Sequence, residues 1–220
     1  MTDYSFHKVT VITGHYGSGK TNVSANLALK LAETGKVSII DLDIVNPYFR
    51  ISGKTNGAEL FDNEKICVIA SKYANSSVDI PALGFDIAGI IKDSDYTIID
   101  VGGDDEGAKA LGRYKDTLLV QGVQMLYVVN QYRYLTQKAD DTLDLLREIE
   151  TASGLKCTGI INNSNLGTET TAQNIESTLP YAEKITEKAG IPLVFTAGKK
   201  DLNCEKVDFP IEILIKPVWL

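Results

Sequence analysis

The sequence is short of the residues that build several kinds of protein. Its 220 residues hold three cysteines, Cys67, Cys157 and Cys204, with no Cys-x-x-Cys pair and no Cys/His ligand spacing. That excludes a disulfide scaffold and a thiolate metal site, and makes a reducing compartment the expectation. Long apolar runs are also missing: the apolar stretches are strand-sized, and none approaches the ~20 continuous residues of a membrane span. Positive charge is in deficit, with 22 basic against 29 acidic residues and a net charge of −7. Such a balance opposes a generic attraction to DNA, RNA or anionic lipid, so neither nucleic acid nor a membrane is expected as a direct partner. The opening MTDYSFHKVTVITG sets an acid, two aromatics and His7 before a short apolar run, which is not a secretory leader, and a cytoplasmic location is expected. No repeat or Ser/Pro-rich linker divides the chain, so residues 1–220 read as one domain.

What is present is an alternation of short β-branched runs with helical patterns. Strands are expected near 8–13, 37–41, 66–70, 96–100, 125–130, 158–162, 192–196 and 211–215. Val23, Leu27 and Leu31 recur at helical spacing, with Gly35 placed as a C-cap. A second helix is expected from about Gln137 to Ala152 with Gly154 closing it, and a third over Ile175 to Ala189 that Pro180 should break or restart. Residues 44–64 and 71–92 look least regular. The pattern is that of an α/β fold, a three-layer, doubly wound, mainly parallel sheet flanked by helices.

Gly14-His15-Tyr16-Gly17-Ser18-Gly19-Lys20-Thr21 satisfies G-x-x-x-x-G-K-[ST], directly after an expected strand and before an expected helix. Glycines let consecutive N–H groups converge on phosphate oxygens, and the helix start adds orphan N–H groups and its positive dipole end. Lys20 is then expected at the β- and γ-phosphates, and the Thr21 hydroxyl on Mg²⁺. Two acids complete such a site. The strand YTIID delivers Asp100 to the sheet edge, with Gly103 three residues on, where its N–H meets a γ-phosphate. The second expected strand carries Asp41 and Asp43, which alternation places on one face, Asp43 nearer the edge and suited to orient a water or hold Mg²⁺.

GHYGSGKTN, IIDLDIVNPYFR, TIIDVGG and TGIINNSNLG, taken in order, resemble the MinD/ParA-type P-loop ATPases of the SIMIBI class, the group that includes nitrogenase iron protein and the cobyrinic-acid synthase-type domains. The resemblance implies ATP and Mg²⁺ as cofactors. It places Gly14, His15, Tyr16, Gly17, Ser18, Gly19, Lys20, Thr21 and Asn22 at the nucleotide, Asp43 in the first switch, and Asp100 with Gly103 in the second. It assigns Asn163 to the adenine edge, with Asn162 and Asn165 as alternatives; an asparagine amide offers both a donor and an acceptor for that task. Lys20 and Asp43 become the catalytic pair, and Thr21, Asp43 and Asp100 the metal residues. The family's second lysine early in the loop is replaced by His15, a weak cation at neutral pH, which puts the nucleotide-sandwich homodimer in doubt.

Guanine recognition needs an acid in an [NT]KxD arrangement, and Gly198-Lys199-Lys200-Asp201 misses it, so ATP is favoured over GTP. The expected function is Mg²⁺-dependent ATP binding with slow hydrolysis driving a conformational switch, Tyr48, Phe49 and Arg50 moving onto a protein partner. Two alternatives stay open: an ATP-dependent small-molecule synthetase, and a non-hydrolysing scaffold whose partner face includes Tyr127, Tyr132, Arg133 and Tyr134.

Overall fold

Val9–Thr13 (β1) and Val37–Leu42 (β2) are buried at every position. Strands with no solvent face must be covered on both sides, and helices do this here. The computed structural model describes residues 5–43, 62–70, 86–103 and 105–215. The further strands are Ile66–Ala70 (β3), Tyr96–Val101 (β4), Gln124–Val129 (β5), Gly159–Asn162 (β6), Leu193–Lys199 (β7) and Phe209–Ile211 (β8). They form one eight-stranded sheet in the order β3-β2-β4-β1-β5-β6-β7-β8, and every described pairing is parallel. This is the fold class expected.

The helices are Lys20–Ala32 (α1), Ile87–Lys92 (α2), Asp105–Gly112 (α3), Lys115–Val120 (α4), Ala139–Ser153 (α5), Ala172–Ser177 (α6) and Leu179–Ala189 (α7). Neighbouring residues of a strand point to opposite faces, so each strand feeds two cores. Ile39 and Ile98 pack with Val23, Leu27 and Leu31 of α1. Ile40 and Ile99 pack instead with Ile87 and Ile91 of α2, Leu111 of α3, and Leu143 and Leu146 of α5. The strand order turns back at β1, between β4 and β5, and ligands of open α/β sheets bind at the carboxyl ends of strands flanking such a point.

Four local expectations are corrected. α1 stops at Ala32 with Glu33 as its C-cap, so Gly35 is not the cap. Residues 87–92 form α2 in a stretch expected to be irregular, and α3 and α4 have no counterpart in the sequence periodicity. α2 is only six residues long, too short for periodicity to show, and rests on Asp86 accepting the Gly89 N–H at 2.9 Å. The last strand ends at Ile211, because beyond it side chains of α1 take the backbone hydrogen bonds. Glu212 N–H donates to Asn26 Oδ1 at 2.8 Å, and the N–H groups of Leu214 and Ile215 donate to Asn22 Oδ1 at 2.9 Å. Pro180 does separate α6 from α7, sitting in the first turn of α7 where its missing N–H costs nothing. Residues 44–61 and 71–85, which include Tyr48, Phe49 and Arg50, lie outside the described residues. Among the described residues, no helix is long and apolar enough to cross a membrane.

Candidate functional site

The chain leaves β1 at Thr13, turns through residues 14–19 and enters α1 at Lys20. Gly19, the N-cap, has φ +89°, and a Cβ there would lie 2.3 Å from Asn163 Nδ2, so both conformation and space demand glycine. The Ser18 N–H donates to His15 O at 3.1 Å, and Lys20 Nζ reaches the same oxygen at 3.3 Å. Lys20 is 6% exposed. Ser18 Oγ is buried with no protein hydrogen-bond partner. The loop is thus closed around its own lysine, with a buried hydroxyl left over inside it.

Asp100 stands at the carboxyl end of β4, level with Ile12 of β1 and Asp41 of β2, and is 1% exposed. Ser24 Oγ donates to its Oδ1 at 3.0 Å, and the Thr21 hydroxyl donates to it as well. Burial pushes the Asp100 carboxyl up to about 6, against the pull of the Lys20 ammonium and the two hydroxyls; the Asp43 carboxylate adds to the push. Asp43 is therefore close enough for its charge to be felt at Asp100. Of the two acids of the β2 segment, Asp41 is within β2 and Asp43 lies one residue past its end at Leu42. Asp41 is buried and its Oδ1 accepts the Asp43 N–H at 3.0 Å, turning the chain. A hydroxyl and carboxylates in one corner form a hard-oxygen donor set that fits a magnesium ion.

Gly103 closes the site from the β4 side. A Cβ there would fall 2.6 Å from the Tyr16 backbone N and 2.9 Å from Lys20 Nζ. We expect Gly103→Ala to force this segment off the loop and weaken nucleotide binding by about tenfold or more, measured by calorimetric titration; unchanged affinity would show that the close approach is not needed. Of the three asparagines weighed at the end of β6 and just beyond it, Asn163 is the one hydrogen-bonded to the loop, donating from Nδ2 to Ser18 O at 2.8 Å. Asn162 Nδ2 binds Thr178 Oγ1 at 3.1 Å, and Asn165 Nδ2 binds Asn163 O at 2.7 Å.

No family model matches the chain. Over 100 residues it is 31% identical to a cytosolic Fe-S cluster assembly factor NUBP2 homolog from Culex quinquefasciatus, covering 45% of this chain and 37% of that protein. Among solved structures it is similar to FtsY from Mycoplasma mycoides, with TM-score 0.54 and 18% identity over 90% of this chain and 63% of that one. FlhF complexed with GMPPNP and Mg²⁺ gives TM-score 0.51 and 16% identity over 96% and 72% of the two chains. This chain spans well under half the length of the curated relative and just under two thirds of that FtsY. The chain has a P-loop NTPase-type, three-layer α/β fold. The MinD/ParA-type, SIMIBI-class resemblance carried by the four motifs stands with it.

The remaining residues singled out in the sequence are placed as follows. The Asn22 side chain turns from the loop to residues 214–215, donating to Ile215 O and accepting the Leu214 N–H, both at 2.9 Å, so its amide holds the fold. His15 is half-buried, and burial and the Lys20 ammonium hold its imidazole below the ordinary value, leaving the ring neutral at pH 7. Tyr16 is exposed on the loop. Tyr127 is fully buried and belongs to the core, not to a partner face, since alternation in β5 turns it inward. Gly198 and Lys199 are part of β7, which β5 and β6 separate from β1, and Lys200 Nζ pairs with Glu212 at 2.8 Å. Two residues of the site escape the motifs. Ser24 lies one turn after Thr21 on the same helical face, a spacing that was available in the sequence. Arg133 donates from Nε to Gly17 O at 2.8 Å across 116 positions, and no local pattern announces that.

Proposed function

We propose that this protein binds a nucleoside triphosphate with Mg²⁺ at the β1–α1 loop, favours ATP, and hydrolyses it slowly to drive a conformational switch. One observation carries the reading: the buried Asp100 carboxylate takes hydrogen bonds from Thr21 and Ser24 beside the Lys20 ammonium. A strand end that buries an acid against the first turn of a glycine-loop helix is costly unless that acid has a ligand to meet.

The loop amides and α1 start bind phosphate oxygens, and Lys20 places its ammonium where charge develops on the transferred group. Asp43 orients the attacking water, and Asp100 and Thr21 hold the metal. Bound Mg²⁺ would supply charge neutralisation across the β- and γ-phosphates. Gly103, packed against Tyr16 and Lys20, is the point at which loss of the γ-phosphate is felt by the chain after β4. Asn163, which braces the loop through its Nδ2, is assigned to the adenine edge because the rest of its amide offers both a donor and an acceptor.

Adenine over guanine is supported by the residue three positions beyond Asn163. Where an [NT]KxD pattern has its carboxylate, this chain has Leu166, which accepts nothing from guanine. The work done by the switch involves a protein partner or a second copy. A neutral His15 in place of the second lysine supports a partner contact unlike the family's in-trans lysine. A cytoplasmic setting accords with three cysteines that are all free thiols.

Calorimetry with ATP and GTP, each with and without Mg²⁺, tests the reading. We expect Mg²⁺-dependent heat, with ATP at least about tenfold tighter than GTP, a ratio worth about 1.4 kcal/mol. Absence of heat for every triphosphate sinks the function, and tighter GTP binding sinks the base preference.

A further inference from the structure

Two successive peptide planes of the glycine loop are held from outside by side chains that lie beyond other strands. The Ser18 carbonyl accepts from Asn163 Nδ2, and the Gly17 carbonyl accepts from Arg133 Nε, both at 2.8 Å. In a trans peptide the carbonyl and the following N–H point in opposite directions. Anchoring the Gly17 carbonyl therefore fixes the Ser18 N–H on the far side, where it meets His15 O at 3.1 Å. Anchoring the Ser18 carbonyl fixes the Gly19 N–H likewise. Amides of this stretch are the ones that cradle the α- and β-phosphates in a loop of this type.

Arg133 is itself held in place. Its N–H donates to Asn130 O at 3.2 Å, and its carbonyl accepts the Thr136 N–H at 3.0 Å. Asn130 is fully buried, and its Oδ1 accepts the N–H groups of Tyr132 at 3.0 Å and Asn165 at 3.2 Å. The segment after β5 is thus tied to the segment after β6, and each delivers one clamp to the loop. The guanidinium covers Gly17, with Cζ 3.5 Å from where a Cβ would stand. Among the described residues Arg133 enters no salt bridge. Its charge is committed to a loop carbonyl and to no carboxylate.

We propose that Arg133 is a positioning residue of the nucleotide site: it holds the Gly17–Ser18 peptide in the turn whose Ser18 N–H meets His15 O, the oxygen that Lys20 Nζ also reaches, and so fixes the shape of the loop while adding a second positive charge to it. This rests on the reading that the loop binds nucleotide. A cation on a peptide oxygen also polarises that peptide, making its N–H a stronger donor. The whole effect falls on the part of the nucleotide that ATP and ADP share.

The test uses Arg133→Met, which keeps the aliphatic stem over Gly17 without charge or donor, and Arg133→Lys, which keeps the charge but cannot donate from Nε. Binding of MgATP and of ADP is measured at 10 °C, with the thermal midpoint of nucleotide-free protein as a control. We expect Arg133→Met to weaken both nucleotides about tenfold, the size of one charge-assisted hydrogen bond, with the midpoint of the parent. Arg133→Lys should fall between the two. Parent-like affinity in Arg133→Met overturns the proposal, and so does a loss confined to ATP, which would mean direct contact with the γ-phosphate. Failure of the parent itself to bind any nucleotide would instead defeat the underlying function.

Discussion

Asp100→Asn is expected to make the nucleotide-free protein more stable while stripping it of Mg²⁺-dependent nucleotide binding. The Asp100 carboxyl sits at about 6 in the folded chain against 3.8 for an ordinary aspartate, so the folded state binds its proton more tightly than the unfolded state. Stability contributed by this group therefore falls as pH rises through the window from about 4 to 6. Above that window the ionised, buried carboxylate costs about 3 kcal/mol; below it the cost vanishes. An asparagine of the same shape carries no charge and still accepts from Ser24 or Thr21, so it removes most of the cost. Thermal melts without nucleotide should show a raised midpoint at pH 8 and a near-parental one at pH 4. Titration of the same variant should show that Mg²⁺ no longer tightens nucleotide binding. A variant less stable than the parent at pH 8 would contradict this, because burial would then not be what shifts the carboxyl.

Lys20→Ala should abolish turnover. Lys20 is the one lysine of the glycine loop, it is almost wholly buried, and its ammonium is the largest pull opposing the rise of Asp100. Its removal takes away charge stabilisation on the transferred phosphoryl group, worth about 100-fold or more in rate for a preorganised group of this kind. It also drives the Asp100 carboxyl higher still, so the acid is more often protonated at neutral pH when Mg²⁺ must bind. The two losses compound. Single-turnover assays at saturating triphosphate measure the first, and the pH dependence of Mg²⁺-linked binding, displaced toward higher pH, measures the second. Hydrolysis within about tenfold of the parent would remove Lys20 from the mechanism, since one tenfold step is only about 1.4 kcal/mol.

How much is legible in the sequence differs from residue to residue. The inner strands can be found because a strand buried on both faces is a continuous apolar run, and the glycine loop because its residue types and spacing are local, whereas the edge strand β8 at Phe209–Ile211 meets the expected 211–215 only at Ile211. α3 and α4 cannot, since helices of eight and six residues show too few turns for a period to emerge. The choice among Asn162, Asn163 and Asn165 is equally out of reach. Three neighbouring asparagines have the same chemistry, and only packing against the loop separates the one that touches Ser18 from those bound to Thr178 and to Asn163 O.

Asn22 and Arg133 mark the boundary most clearly. Asn22 adjoins the phosphate motif yet binds residues nearly 200 positions away, while Arg133 lies far along the chain yet clamps Gly17. Composition and local pattern alone were enough to determine a parallel α/β sheet, a glycine loop after its first strand, and two acids brought to the sheet edge. Those properties depend on periods and spacings of a few residues, which a sequence carries explicitly. Which side chains brace the loop, how far burial lifts the Asp100 carboxyl, and where the last strand gives way to asparagine amides were decided by tertiary structure. Each depends on groups remote in the chain meeting in a space closed to water, and proximity of that kind leaves no local trace.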